Sequence, residues 1–438
     1  MINEKYKEML GKKSVIRQLS EFATQRGREI GYENVFDYSL GNPSVPVPDA
    51  FTDEMVRLLK EESPMKLHGY SPTMGNPEYK QAVADSLNRR FNMNYKATHI
   101  FPTTGAAGAI AHALRAITKP GDDVIVFAPF FPEYTPYITG TGANIKIVPP
   151  DTKAFQINFE KFEEMLDKNV KAVLINSPNN PTGIVYSEET VKRLADILKE
   201  KSKEFGFDIY LVSDEPYREI VFDGVVCPYP AKYYDHTLTC YSFSKSISLP
   251  GERIGYVACN PSDPDSETIA MMCGQISRGT GHNCPASIIQ MAVAKVLDMT
   301  SDLSVYETNM NILYKELTDL GFEVVKPGGT FYIFPKALEE DAVAFSQIKN
   351  NNFINPKVYK NDIITINFIS TDGSLHYAVS CDKNETFAEA EEKLYKKYPN
   401  YRETNNYFLY GGRNILRFKT IENNKIVSGE PITLCIPQ

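Results

Sequence analysis

The sequence predicts an α/β fold built on a mainly parallel sheet, followed by a small separate domain. Three observations point there. Apolar, β-branched runs alternate with longer amphipathic stretches from about residue 80 to 290, the pattern of βα units. Several of those runs end in polar or aromatic residues followed by turn formers, and in an open α/β sheet ligands bind just beyond such carboxyl ends. After about residue 346 the composition changes: "QIKNNNFINPKVYKND" is rich in Asn and Lys without periodicity, as expected of a linker.

In chain order, the clearest strands are "DDVIVFAPFF", "VKAVLINSPNNPTG", "FDIYLVSDEPY" and "RIGYVACN". They are short, rich in β-branched and aromatic residues, and bounded by turn formers. Recurrence of apolar residues three and four apart predicts helices over "NPEYKQAVADSLNRRF", "SEETVKRLADILKEKSKEF" and "SIIQMAVAKVLDM". Past the linker, "IITINFISTDGSLHYAVS" forms two alternating strands around an Asp372-Gly373 turn. "TFAEAEEKLYKKY" is an amphipathic helix through Glu391 and Leu394, and "FLYGGRNILRF" and "EPITLCI" are short strands. That order suits a small β-grasp-like domain.

A chain of 438 residues, 42% hydrophobic and 23% charged, can bury more than one core. Its net charge of −8 argues against a general nucleic-acid binder, which needs a basic face to displace counterions. The seven cysteines, at 227, 240, 259, 273, 284, 381 and 435, show no C-x-x-C pair and no metal-finger spacing, so reduced thiols and no metal site are expected. The N-terminal "MINEKYKEML" is charged and lacks an apolar core, and no run approaches the roughly 18 apolar residues of a membrane span. The expectation is a cytoplasmic protein with neither a membrane nor a nucleic-acid partner.

The segment "YSFSKSISLPGERIGY" sets Ser242, Ser244, Ser246 and Ser248 around Lys245, with Arg253 eight residues beyond. Alone it is either a solvated loop or an anion site built around a reactive amine. "TTGAAGAIAHAL" brings Gly105, Ala106, Ala107 and Gly108 to the start of a helical pattern, where free backbone N–H groups bind phosphate or where small residues simply pack tightly. Asp214 follows the apolar run "FDIYLV", with Tyr217 three residues later. Such a carboxylate caps a turn, or it holds a proton on a pyridine nitrogen and makes the ring an electron sink. In the second case Asn180 and Tyr217 suit a ring hydroxyl, and Phe131 suits the ring face.

"NSPNNPTG", "SDEPYREI" and "YSFSKSISLPGERIGY", in that order and spacing, resemble the fold-type I, pyridoxal-phosphate-dependent class I/II aminotransferases of the aspartate aminotransferase-like branch, over residues 1 to about 345. "SLGNPSVPVPDAF" and "HGYSPTMGNPEYKQAV" are similar to that family's N-terminal substrate loop and to the segment that carries a tyrosine across the dimer interface. The resemblance implies pyridoxal 5'-phosphate as cofactor, bonded as a Schiff base to Lys245. It implies that Ser242, Arg253 and the backbone of Gly105, Ala106 and Ala107 hold the phosphate, which Tyr70 of the partner subunit also reaches. Asp214 would pair with the pyridine nitrogen, Asn180 and Tyr217 would contact the ring oxygen, and Phe131 would stack on the ring. Gly41, with Asn180, would lie near the substrate carboxylate.

The implied reaction moves an amino group between an L-amino acid and a 2-oxo acid, in a homodimer, with Lys245, Asp214 and Tyr217 as catalytic residues. A lyase on the same scaffold and an impaired cofactor-binding protein acting through its tail are the alternatives. The implied organisation is an arm with part of the small domain at 1–50, a large cofactor-binding domain at 51–290, a partial small domain at 291–345, the linker at 346–362 and the tail at 363–438.

The pattern departs from the family in one respect. There an arginine near the C-terminus holds the substrate α-carboxylate, whereas here no arginine occurs between Arg278 and Arg402. Arg417 precedes Phe418 as that arginine precedes an apolar residue, but it sits among the tail's strands. In "ISRGTGHNCPAS", Arg278 and His282 fall where the family places residues shared across the dimer, yet a surface arginine and a hydrogen-bonded core histidine are the commoner roles. Cofactor binding with poor transamination is the expectation, unless Arg278 or Arg417 substitutes for that arginine. The tail resembles a ubiquitin-like domain in element order and ends in "CIPQ" without a free di-glycine. It is therefore expected to bind a protein partner or to be an inert fusion, rather than to act as a conjugated modifier.

Overall fold

A computed structural model of the chain describes residues 2, 7, 15–342, 345, 363–402, 404 and 406–435. The linker expected at 346–362 lies outside the described residues. The chain divides into two compact units, residues 1–346 and 347–438.

In the first unit seven strands form one sheet: β1 (Ile100–Thr103), β2 (Asp123–Phe127), β3 (Asn144–Val148), β4 (Val170–Asn176), β5 (Tyr210–Asp214), β6 (Thr237–Ser242) and β7 (Gly255–Cys259), in the order β1-β7-β6-β5-β4-β2-β3. From β3 to β6 every neighbouring pair is parallel, while β7 runs antiparallel to both β6 and β1. The expected mainly parallel sheet is therefore mixed toward one edge. The four runs singled out in the sequence contain β2, β4, β5 and β7. The other three carry weaker signals: β1 is four residues with a proline, β3 is largely half-exposed to exposed, and β6, "TLTCYS", holds polar residues at alternate positions although all of it is buried.

The sheet is covered on both faces, as parallel sheets are. Helices Gly105–Ile117 and Ser266–Thr280 bury Ile110, Leu114, Ile269 and Cys273 against one face together with Val124 and Val126. Helices Phe159–Met165 and Glu188–Phe205 bury Phe162, Leu194 and Leu198 with Ile125, Val173 and Leu211. Each such side chain contributes about 1.5–3 kcal/mol on burial, so the strand ends beyond the core rest on a stiff base. Two of the three helices predicted in this unit begin at side-chain caps. Asn76 Oδ1 accepts from the amides of Glu78 and Tyr79 ahead of helix Pro77–Phe91, and Ser187 Oγ accepts from Thr190 N ahead of Glu188–Phe205, satisfying amides that the helix leaves open.

The second unit is a five-stranded sheet with one helix. Its strands are β8 (Ile363–Ser370), β9 (His376–Asp382), β10 (Tyr407–Tyr410), β11 (Arg413–Asn414) and β12 (Pro431–Cys435), in the order β11-β10-β12-β8-β9, with β12 parallel to β8 and the other pairs antiparallel. The β8–β9 hairpin turns at Asp372-Gly373, where Asp372 Oδ1 accepts from Ser374 N at 3.0 Å. Helix Phe387–Lys397 starts at a capping box of Thr386 and Glu389 and buries Phe387 and Leu394 with Phe368, Phe408 and Leu434. Among the described residues no helix is long and apolar enough to cross a membrane, and no cysteine is in a disulfide.

Candidate active site

The carboxyl ends of β4, β5 and β6 meet the amino end of helix Gly105–Ile117 around a pocket of about 270 Å³. Asp214 closes β5, Ser242 closes β6, Asn180 lies just past β4, and Ala106 and Ala107 lie in the helix's first turn. Phe131, Tyr217, Lys245, Arg253 and Gly41 complete the predicted residues that line it. Segments far apart in the chain are thus gathered at one edge of the sheet, where strand ends leave unpaired polar groups and the helix offers open amides.

Lys245 brings an amine into this pocket. Its Nζ donates to the Gly41 carbonyl at 2.7 Å. Burial, helped by the Arg253 charge, brings its amine down to about 8, so the neutral, nucleophilic form is accessible near neutral pH. Arg253 reaches the start of the helix: its guanidinium lies 3.0 Å from where a Cβ on Gly105 would stand, and Gly105 itself has φ +79°. A side chain there would be strained and would crowd the guanidinium out of the cradle. Arg253 and Ser248 also adopt positive φ, 52° and 54°, at a cost on the order of 1–3 kcal/mol each. The loop is held in that shape by bonds such as Leu249 N to Phe243 O at 3.2 Å.

The four serines around Lys245 divide by role. Ser242 and Ser244 line the pocket. Ser246 bonds the Tyr241 hydroxyl at 2.9 Å, and Ser248 pairs with Ser301 at 3.1 Å, so those two serve the loop's own architecture.

Across the pocket, Asp214 is fully buried. Tyr134 donates its hydroxyl to Asp214 Oδ2 at 2.5 Å, while Oδ1 has no hydrogen-bond partner among the described residues. Burial raises the carboxyl to about 7 against the pull of the Tyr134 bond. A cation or N–H placed at Oδ1 would satisfy that oxygen and favour the carboxylate. Asn176 fixes this edge: its Nδ2 donates to Asp214 O at 2.9 Å and its Oδ1 accepts from Asn180 N at 2.6 Å. Tyr217 lines the same pocket as Asn180 and shares a 3.0 Å hydroxyl contact with Tyr332. Phe131 stands edge-on to Tyr134, ring centroids 5.7 Å apart.

Tyr70 is not in this pocket. It is fully exposed and, with Arg278 and Cys284, lines a separate cavity of about 520 Å³. His282 lies with its ring 6.4 Å from that of His112. Arg417, in the second unit, pairs with Glu391 at 2.6 Å and donates to Asn406 Oδ1 at 2.8 Å. Lys245 and Arg253 are the only cations among the described residues that line the pocket.

Tyr134, Tyr332 and Asn176 were not anticipated. Tyr134 follows the quoted Phe130-Phe131 pair, and Asn176 opens the "NSPNNPTG" segment, so both stood in view without a pattern that assigns them. Tyr332 lies in the irregular stretch "GGTFYIFP", where no periodicity predicts its return to Tyr217.

The arrangement is a desolvated amine, an anion cradle of hydroxyls, guanidinium and helix amides, and a buried carboxylate with one open oxygen. It suits a flat ring that carries a protonatable nitrogen, a hydroxyl and a phosphate. Comparison with known proteins agrees with this geometry. Residues 33–388 match the family model described as aminotransferase class I and II. The chain is similar to a probable N-acetyl-LL-diaminopimelate aminotransferase of Bacillus subtilis, 32% identical over 76% of this chain and 80% of that protein. Among solved structures it is similar to an amino transferase from Eubacterium rectale, with a TM-score of 0.77 and 39% identity over 91% of this chain and 99% of the other. It is also similar to the aspartate aminotransferase of Thermus thermophilus with maleate, with a TM-score of 0.66 and 26% identity over 77% and 85%.

Proposed function

The chain belongs to the class I and II aminotransferase family and is a pyridoxal-phosphate-dependent transaminase, and from that premise we propose that Lys245 is the residue that bonds the cofactor and moves the proton during transfer of an amino group from an L-amino acid to a 2-oxo acid. The observation that carries the assignment is the open, buried Oδ1 of Asp214 in the same pocket as the amine of Lys245, which burial brings down to about 8.

Pyridoxal phosphate, when bound, supplies an electron sink for the charge that develops at the substrate Cα. In this reading, Asp214 Oδ1 holds the proton on the ring nitrogen, and Tyr134 keeps the carboxylate turned toward it. Ser242, Arg253 and the amides of Gly105, Ala106 and Ala107 hold the phosphate, with Ser244 added to their number. Asn180 and Tyr217 hold the ring oxygen, and Phe131 lies against the ring. Lys245 Nζ takes the proton from the substrate Cα and returns it on the other side of the transfer, the role for which a lowered amine suits it. Gly41 O steadies that amine before substrate arrives.

A second observation favours slow turnover. No cation besides Lys245 and Arg253 lines the pocket among the described residues, and both are committed, so the substrate carboxylate meets neutral donors such as Asn180. These hold it less firmly than a bidentate arginine would. We further infer a homodimer in which Tyr70, exposed in the single chain, completes the neighbouring phosphate site. We also infer that residues 1–50, 51–290 and 291–345 act as arm, large and partial small domains. The second unit's strand order, second-first-fifth-third-fourth in its own sequence with a parallel first–fifth pair, supports a β-grasp of ubiquitin-like kind, available to a protein partner.

A panel of amino acids and 2-oxo acids, with keto acid and ammonia followed separately, tests the reading. Keto acid formed in step with amino transfer is expected. Ammonia released in step with keto acid, without a transferred amine, would overturn it in favour of a lyase.

A further inference from the structure

Beneath the pocket a buried ion network runs behind the functional residues. The Arg218 guanidinium pairs with Glu215 Oε2 at 2.8 Å, approaches Glu219 Oε1 at 3.4 Å and donates to the Tyr256 hydroxyl at 3.1 Å. It also lies 4.5 Å from the Tyr241 ring centroid and 5.0 Å from that of Phe91. Arg90 closes the chain on Glu219 at 2.8 Å. Tyr241 donates to Glu219 Oε2 at 2.8 Å and hydrogen-bonds Ser246 Oγ at 2.9 Å. Arg218, Glu215 and Glu219 are all less than a tenth exposed.

Four members of this network are chain neighbours of pocket residues. Glu215 follows Asp214, Arg218 follows Tyr217, Tyr241 precedes Ser242 and Ser246 follows Lys245. In each pair one residue lines the pocket and the other belongs to the network. Burying charges rarely adds net stability, because desolvation offsets the attraction, so holding geometry is the better reason for such a network. We propose that the Arg218-centred network is a positioning device, fixing the Lys245 loop against the Asp214–Tyr217 turn through the Tyr241–Ser246 bond. Arg218, Glu219 and Tyr241 thus act through Lys245 and Asp214 and touch neither substrate nor cofactor. The proposal rests on the roles assigned above to those two residues.

Two variants test it. Tyr241→Phe keeps the ring and cuts the thread to Ser246. Glu215→Leu with Arg218→Met removes one cation and one carboxylate together and leaves the Arg90–Glu219 pair balanced. In the loaded enzyme, kcat is expected to fall about tenfold for Tyr241→Phe and about a hundredfold for the double variant, with KM within about threefold of the parent. In the cofactor-free protein, competitive acetylation of Lys245 across pH, read by peptide mass, should show its midpoint rising as the loosened loop admits water. This second readout needs no turnover, so it still decides the matter if the assigned reaction is wrong. Parental kcat and an unmoved Lys245 midpoint in Tyr241→Phe would overturn the proposal whatever the double variant does. So would a fall in kcat with the midpoint unmoved, since the lysine would then stand where it stood before.

Discussion

Tyr134 and Asp214 form a one-sided pair: the phenol satisfies Oδ2 at 2.5 Å and leaves the buried Oδ1 without a hydrogen-bond partner among the described residues. A carboxylate held in this way has one direction in which to act. Its charge is costly until a partner arrives, and the pocket is the side left open.

Asp214→Ala is expected to lower transamination by about a hundredfold or more while the protein still takes up cofactor through its phosphate. Charge stabilisation acts mainly in the transition state, whereas the anchors act throughout. Steady-state kinetics with cofactor stoichiometry by absorbance checks this, and near-parental turnover would remove Asp214 from its assigned role.

The same carboxyl should make the cofactor-free protein pH-sensitive. Its folded value of about 7 stands above the ordinary 3.8, so between those values the folded state binds the additional proton. Stability should be greatest below about pH 4 on this account, fall as pH rises toward 7, and level off beyond. Lys245, lowered from 10.5 to about 8, acts at higher pH and with opposite sign: its penalty fades as pH rises from 8 to 10.5. Urea denaturation at closely spaced pH values should show the first slope in the parent and lose it in Asp214→Asn.

Much of the site was legible because its parts are local signals. Lys245 with Arg253, the small residues after Thr104, and Asp214 at the end of an apolar strand each mark themselves within a few residues, and the sheet brings them together. What was hidden depends on return paths through irregular chain. Tyr332 meets Tyr217 across 115 positions of sequence, and no turn or period foretells that meeting. Chemistry by type also misled in part, since Ser246 and Ser248 share the composition of Ser242 and Ser244 but point to Tyr241 and Ser301. Strand β6 was unmarked because alternate threonines and a terminal serine dilute its apolar signal, while its burial is decided by neighbours on both sides.

Gly41 offers a steric test of the pocket wall. A Cβ there would fall 1.9 Å from the Tyr332 hydroxyl, so Gly41→Ala must push the tyrosine away from Tyr217 or lift the Gly41 carbonyl from Lys245. A loss of about tenfold or more in kcat/KM is expected. Gly41→Ala combined with Tyr332→Phe should recover part of that loss. No recovery would mean that the clash is not the cause.

Tyr70 tests the second subunit. If it completes a neighbour's phosphate site, Tyr70→Phe should weaken cofactor affinity several-fold without changing the sedimentation of a dimer. A parent that sediments as a monomer with full activity would defeat the idea outright.

The reversed strand β7 has a consequence for chain topology. A parallel successor to β6 would have required a crossover helix, carrying the chain to the opposite edge of the sheet before it could return. Because β7 runs back beside β6, the connection at 243–254 stays at the ligand edge from start to finish, and the amine and the guanidinium arrive there on one short tether. Closing so short a loop costs little chain entropy, so the two cations are brought together by local contacts, while Asp214 and the Gly105 cradle are recruited from distant sequence. A circular permutant opened between Ser248 and Arg253 would separate that pair without removing an atom of the sheet. It should fold on the same core and lose its hold on the phosphate.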